Sequence, residues 1–135
     1  KLELTLKTKI MKKSIKAMFA IIAFTMISTV GIAQYKMDSD GRTISNSSGS
    51  TVGKIDSDWR TVSNASGSTI GKVDSDGKTI SNSSGSTVLK ISGNDINNSS
   101  GSTIAKMSDV TSAISGSKPE AVYVALWWFI VKGNK

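Results

Sequence analysis

Between Tyr35 and Met107 single branched apolar residues alternate with runs of Ser, Thr, Asn, Asp and Gly, and the alternation itself repeats. The phrase DSDGRTISNSSGSTVGKI, Asp38 to Ile55, returns as DSDWRTVSNASGSTIGKV from Asp56 and as DSDGKTISNSSGSTVLKI from Asp74. A lysine followed by an apolar residue falls at Lys36-Met37, Lys54-Ile55, Lys72-Val73, Lys90-Ile91 and Lys106-Met107, at spacings of 18, 18, 18 and 16 residues. Such a period marks a repeat architecture, in which a unit cannot bury its apolar face alone and stacks on its neighbours. Five units fit between Gln34 and Lys135.

Inside a unit, RTISN and TVGKID are short runs with β-branched residues, bounded by SSG and SDG. Gly supplies positive φ in tight turns and Asp or Asn bonds its own backbone, so each unit reads as two strands joined by reversals. Helix is disfavoured, because the runs are short and lack a 3.6-residue apolar period. The apolar anchors are Ile44, Val52 and Ile55, then Val62, Ile70 and Val73, then Ile80, Val88 and Ile91, then Ile96, Ile104 and Met107. Strict alternation would put Val52 and Ile55 on opposite faces, and Gly53 between them suggests a β-bulge that turns both inward. In the fourth unit two residues are missing where DSDG becomes SGND; an even deletion preserves the facing of every later side chain, which marks that segment as a surface turn.

The chain ends in AVYVALWWFIV, Ala121 to Val131, where both alternating faces are apolar, as in a strand covered on both sides. The first unit begins midway, at Tyr35-Lys36-Met37, so a C-terminal strand beside it would close the ring. Val122, Val124, Leu126, Trp127, Trp128 and Phe129 are the candidate residues of that closing strand. The expected fold is therefore all-β: five antiparallel hairpin units around an axis, closed by an apolar strand. A β-solenoid is the alternative, with Thr51, Thr69 and Thr87 stacked in a ladder, but reversals twice per unit favour hairpins.

Composition changes the picture once targeting is separated out. Met11 opens a basic head with Lys12, Lys13 and Lys16, an apolar run from Ala17 to Val30, and small residues ending at Ala33, the anatomy of a secretory signal peptide. Cleavage is expected after Ala33, since the apolar run is shorter than the ~20 residues a spanning helix needs. Residues 1–10 look like an upstream frame extension, residues 11–33 like the signal peptide, and residues 34–135 like a single five-repeat domain. The whole chain carries +7, but without residues 1–33 eleven basic side chains face nine acidic ones, a net +2. That removes the case for a nucleic-acid partner. With no Cys, no disulfide can brace an exported fold.

The repeated DSDG(R/K)TISNSSGSTV phrase, the five Lys-apolar pairs and the ending ALWWFIV together resemble the small secreted bacterial proteins called 5-fold β-flower proteins. The resemblance covers Gln34 to Lys135. It implies a five-petalled all-β fold and brings no catalytic residues with it.

Candidate chemistry is sparse. Asp38 with Asp40, and Asp74 with Asp76, resemble the start of a calcium loop, but position twelve is Gly49 or Gly85 where a bidentate Glu belongs. Neither a metal site nor a cofactor is expected. Asn46, Asn64, Asn82 and Asn98 sit in N-x-S acceptors, in letters that turns also require. Catalysis lacks His, Cys and any Glu after Ala33 but Glu120, and the Ser50 and Lys54 pair recurs in every full unit, so no enzyme is expected. Trp59 replaces the Gly of DSDG at a turn tip, where it would either contact a partner or fold over a neighbouring strand. The sequence thus points to an exported, non-catalytic structural or interaction scaffold of the bacterial envelope, periplasmic or extracellular, with no membrane span after cleavage. The alternative is a glycan- or cation-binding module whose sites are Trp59, Asp38, Asp40, Asp74 and Asp76. An envelope glycan or protein is the candidate partner.

Overall fold

Thr, Ile, Val and Ser at the repeated TISN and TVGKI positions favour pleated backbone, and the computed structural model pairs them as one ten-stranded sheet. The structure describes residues 33–135. Residues 1–10 and nearly all of the expected signal peptide at 11–33 lie outside the described residues. The strands are β1 (Tyr35–Met37), β2 (Thr43–Asn46), β3 (Thr51–Ile55), β4 (Thr61–Asn64), β5 (Thr69–Val73), β6 (Thr79–Asn82), β7 (Thr87–Ser92), β8 (Asp95–Asn98), β9 (Thr103–Lys106) and β10 (Ile114–Ser115). Helix α1 (Met107–Ala113) separates β9 from β10, and helix α2 (Ala121–Leu126) runs into a π-helical turn, Trp127–Val131.

Consecutive strands β1 to β9 pair antiparallel, and β10 adds to the free side of β1 in parallel, Tyr35 facing Ile114 and Lys36 facing Ser115. Four petals are the hairpins β1-β2, β3-β4, β5-β6 and β7-β8. Each sets its lysine opposite a small polar residue: Lys36 and Ser45, Lys54 and Ser63, Lys72 and Ser81, Lys90 and Asn97. The fifth unit departs, because α1 stands between its two strands and the sheet stays unclosed there. Lys106 faces Asp95 of β8 on one side but has no strand on the other, where its N–H donates instead to the Asp109 carboxylate at 2.8 Å. A side chain in the first turn of α1 thus takes the bond that would leave this edge open to another chain.

Between petals the expected bulges are present. The register skips Val52 between Ile44 and Ser45, and likewise Ile70, Val88 and Ile104 in the later units. Glycine is not their cause, since Leu89 and Ala105 follow two of the four bulges. The shortened fourth unit keeps its facing: Ser92 pairs with Asp95, leaving only Gly93, at φ 58°, and Asn94 between them, a two-residue hairpin turn.

The tail corrects the sequence expectation. Val122, Val124, Leu126, Trp127, Trp128 and Phe129 do not form a closing strand; they lie on α2 and its π-helical continuation. The strand beside β1 is β10, whose Ile114-Ser115 matches Ile44-Ser45 of the repeat. The physical reason lies in the burial: Val122 to Trp127 and Phe129 are all buried, and a helix apolar all round is one that sits inside a core. α2 packs against β3, β4, β5 and β6 and forms a cluster with Ile44, Ile55, Val62, Ile80, Leu89 and Ile96. Aromatic side chains bury about 150–250 Å² each, so Tyr123, Trp127 and Phe129 supply burial that the petals' small residues cannot. The Tyr123 hydroxyl, the polar end of this plug, donates to the Gly41 carbonyl at 3.0 Å.

A single helix has no five-fold symmetry, so the petals must differ where they touch it. The inward residue after each bulge reads Gly53, Gly71, Leu89, Ala105. A methyl group placed on Gly53 would meet Ile130 Cδ1 at 2.9 Å, and one on Gly71 would overlap the Phe129 ring. Leu89 at the same position of the next unit is fully buried. The repeat therefore carries, in one variable position, the footprint of the helix it surrounds.

Candidate functional site

The outer surface is built from two kinds of turn. At the petal tips, Asp40 accepts the N–H groups of Arg42 at 2.8 Å and Thr43 at 2.9 Å on Oδ1, and the Thr43 hydroxyl at 2.7 Å on Oδ2. Asp58 and Asp76 repeat this set with Arg60 and Thr61, and with Lys78 and Thr79. Donors aimed at a carboxylate favour its charged form, and all three acids are held down at about 2. The Arg42 N–H is the leading cause at Asp40, and the hydroxyls of Thr61 and Thr79 at Asp58 and Asp76.

Between petals, Asn46 Oδ1 accepts the Ser48 N–H at 3.1 Å, the Ser48 hydroxyl at 2.7 Å and the Ser50 N–H at 3.0 Å. Asn64 and Asn82 do the same, and Asn98 keeps two of these bonds. Each amide oxygen is thus committed to its own turn, while the NH₂ end of the same group makes no hydrogen bond among the described residues.

The sequence-derived candidates divide accordingly. Asp38 and Asp40 do not converge: Asp40 serves its tip, whereas Asp38 accepts the Ser45 hydroxyl at 3.4 Å, and Asp74 accepts that of Ser81 at 3.1 Å. Among the described residues no group of three or more His, Cys, Asp or Glu is placed to hold a metal ion. Asp38 lies instead in a cleft of about 410 Å³ with Lys36, Ser45, Asn46 and Thr51. Asp74 lies in one of about 270 Å³ with Lys72, Ser81, Asn82 and Thr87. Sequence reading named these lysines as repeat markers, the asparagines as N-x-S acceptors and the threonines as a possible ladder, but did not join them with Asp38 and Asp74 into one site.

Trp59 is exposed and also folds over a neighbouring petal. At the tip position where other petals have Gly41 or Gly77, it adopts φ 56° and is 48% exposed. Its ring nonetheless reaches the neighbouring petal: a methyl group on Gly41 would sit 3.7 Å from Trp59 Cη2. The left-handed conformation costs about 1–2 kcal/mol. Burying roughly 100 Å² of indole returns about 2.5 kcal/mol, so contact and strain nearly cancel.

A different cleft, of about 680 Å³, opens at the irregular fifth unit among Ile104, Ala105, Trp127, Trp128, Val131 and Lys132. Ile104, the bulge residue there, is 41% exposed. The Lys132 ammonium stands 5.3 Å from the Trp127 ring centre, and the buried Trp128 Nε1–H has no hydrogen-bond partner among the described residues.

No curated protein and no solved structure matches this chain. A family model described as 5-fold beta-flower protein does, over residues 11–129, which take in every petal and most of the helical plug. With nearly its whole length matched and five repeat units around a buried helix, this small repeat protein belongs to the 5-fold β-flower family.

Proposed function

We propose that the chain is exported across the inner membrane and serves as a non-catalytic scaffold of the bacterial envelope, presenting its polar petal surface to a partner. The observation that carries this reading is how the outer polar groups are used. Asp40, Asp58, Asp76 and the four repeated Asn oxygens are bonded within their own turns, which makes the surface rigid and regular and leaves no nucleophile-base pair singled out from the repeat. Export is supported by the order of basic head, apolar run and small residues between Met11 and Ala33. No described helix is long and apolar enough to cross a membrane.

The test is to express the chain in a bacterial host, fractionate the cells and weigh the product by intact-mass spectrometry. The expected species begins at Gln34 and is found in the periplasm or the medium. A cytoplasmic product that retains Met11 to Ala33 would overturn the reading.

A further inference from the structure

The clefts at Asp38 and Asp74 are the same site twice. Lys36, Asp38, Ser45, Asn46 and Thr51 of one correspond to Lys72, Asp74, Ser81, Asn82 and Thr87 of the other, each pair offset by 36 residues, or two repeats. Halfway between them the chain carries Lys54, Asp56, Ser63, Asn64 and Thr69, and the Ser63 hydroxyl donates to Asp56 at 3.0 Å as its counterparts do. The fourth unit breaks the set: Ser92 stands where the Asp would be, and Asn97 where the Ser would be. The repeat therefore places a third equivalent set of side chains between the two clefts, on consecutive petals.

We propose that these three grooves bind a neutral, hydroxyl-rich saccharide chain, one segment per petal. This deepens the scaffold reading, and rests on it, by naming what the outer surface holds. The chemistry of each groove selects the ligand. Among the described residues the only ion pair is Lys106 with Asp95, so the ammonium and the carboxylate of each groove are not in direct contact and both stay open to a ligand. Their charges nonetheless cancel across the groove, which disfavours both a free anion, repelled by the Asp, and a free cation, repelled by the Lys. A sugar hydroxyl can donate to the carboxylate while its neighbour accepts from the ammonium. The uncommitted NH₂ of Asn46, Asn64 or Asn82 adds a donor beside them, and Thr51, Thr69 or Thr87 a hydroxyl. Repetition suits a polymer whose own residues repeat, because linked weak contacts sum to useful avidity.

The experiment is calorimetric titration of the chain, purified as the cell leaves it, with cellotetraose, maltotetraose and N-acetylchitotetraose, with calcium chloride and sodium phosphate as further probes. The expected result is binding of at least one tetrasaccharide at more than one site per chain, with neither salt bound. The variants D38N/D56N/D74N and K36Q/K54Q/K72Q should each weaken that binding about tenfold or more, the loss expected when a charge-assisted hydrogen bond goes. The lysine set, exposed and outside every turn bond, guards against a folding defect in the first, and melting curves check both. Absence of binding by all three tetrasaccharides, binding that survives both triple variants, or binding of calcium or phosphate alone would each overturn the proposal. If saccharide binding fails in a chain recovered from the envelope at Gln34, the scaffold reading stands without this ligand. A chain retained in the cytoplasm removes the scaffold reading whatever it binds.

Discussion

Asp40, Asp58 and Asp76 show how one side chain determines a whole turn. Each carboxylate holds two backbone N–H groups and a threonine hydroxyl, and each is pulled from the ordinary 3.8 to about 2. A carboxylate whose folded pKa is depressed contributes stability that is present above the unfolded pKa and lost as pH falls through the folded one. The melting temperature should therefore be level above 3.8 and decline as the pH drops toward about 2. In the triple variant D40N/D58N/D76N, whose amides still accept the backbone N–H groups, that acid decline should flatten. An unchanged slope would show that the tips contribute nothing to it. All three groups are exposed, so solvent screening keeps the effect small.

At the scale of elements, the approach of the helix to Gly53 and Gly71 makes two similar substitutions unequal. Gly71→Ala sets a methyl group into the Phe129 ring, and such overpacking costs about 1–3 kcal/mol, or roughly 4–8 °C of melting temperature per kcal/mol. Gly53→Ala meets the movable end of Ile130 at 2.9 Å and the buried Ile44 only at 3.2 Å, and the reduced freedom of the unfolded chain offsets about 0.4–1 kcal/mol, so it should cost clearly less than Gly71→Ala. In a double-mutant cycle with Phe129→Ala the loss from Gly71→Ala should shrink; strict additivity would mean that the ring is not what the methyl group meets. The hairpins, the bulges and the deleted turn were legible because period two, turn residues and an even deletion are local signals. The helices were not read, although traces of both were there. Met107, Val110 and Ile114 are buried at i, i+3 and i+7, which is a helical stripe as well as one repeat step. Ala121 to Val131 is longer than most strands, follows Pro119, and precedes Gly133 at φ 68°, all marks of a helix, but an all-apolar run has no polar face to show its period. Of the candidate site, the letters DSD suggest two carboxylates at one cation, and only the fold shows that Asp38 accepts from Ser45 while Asp40 holds the tip.

At the scale of the molecule, the repeats make a sheet that wraps a helix they do not encode. Petals with three small anchors each leave a space, and α2 with its π-helical continuation fills it with Tyr123, Leu126, Trp127 and Phe129. Burying one such side chain is worth on the order of 1.5–3 kcal/mol, so losing the set, with the two buried valines about 9–18 kcal/mol, is as large as the whole 5–15 kcal/mol by which domains of this size are stable. The repeat count and the need for something apolar to complete the core were visible in sequence; that the completing element lies inside the petals, and that β10 stands beside β1, required the fold. The central claim is that Ala121 to Val131 is the core around which the petals assemble, and it is tested most directly by the thermal melt of a chain ending at Glu120 against the full chain. The account predicts that the truncated chain loses its cooperative transition and aggregates or binds hydrophobic dyes. A soluble truncated chain that melts cooperatively near the full chain's temperature would contradict it.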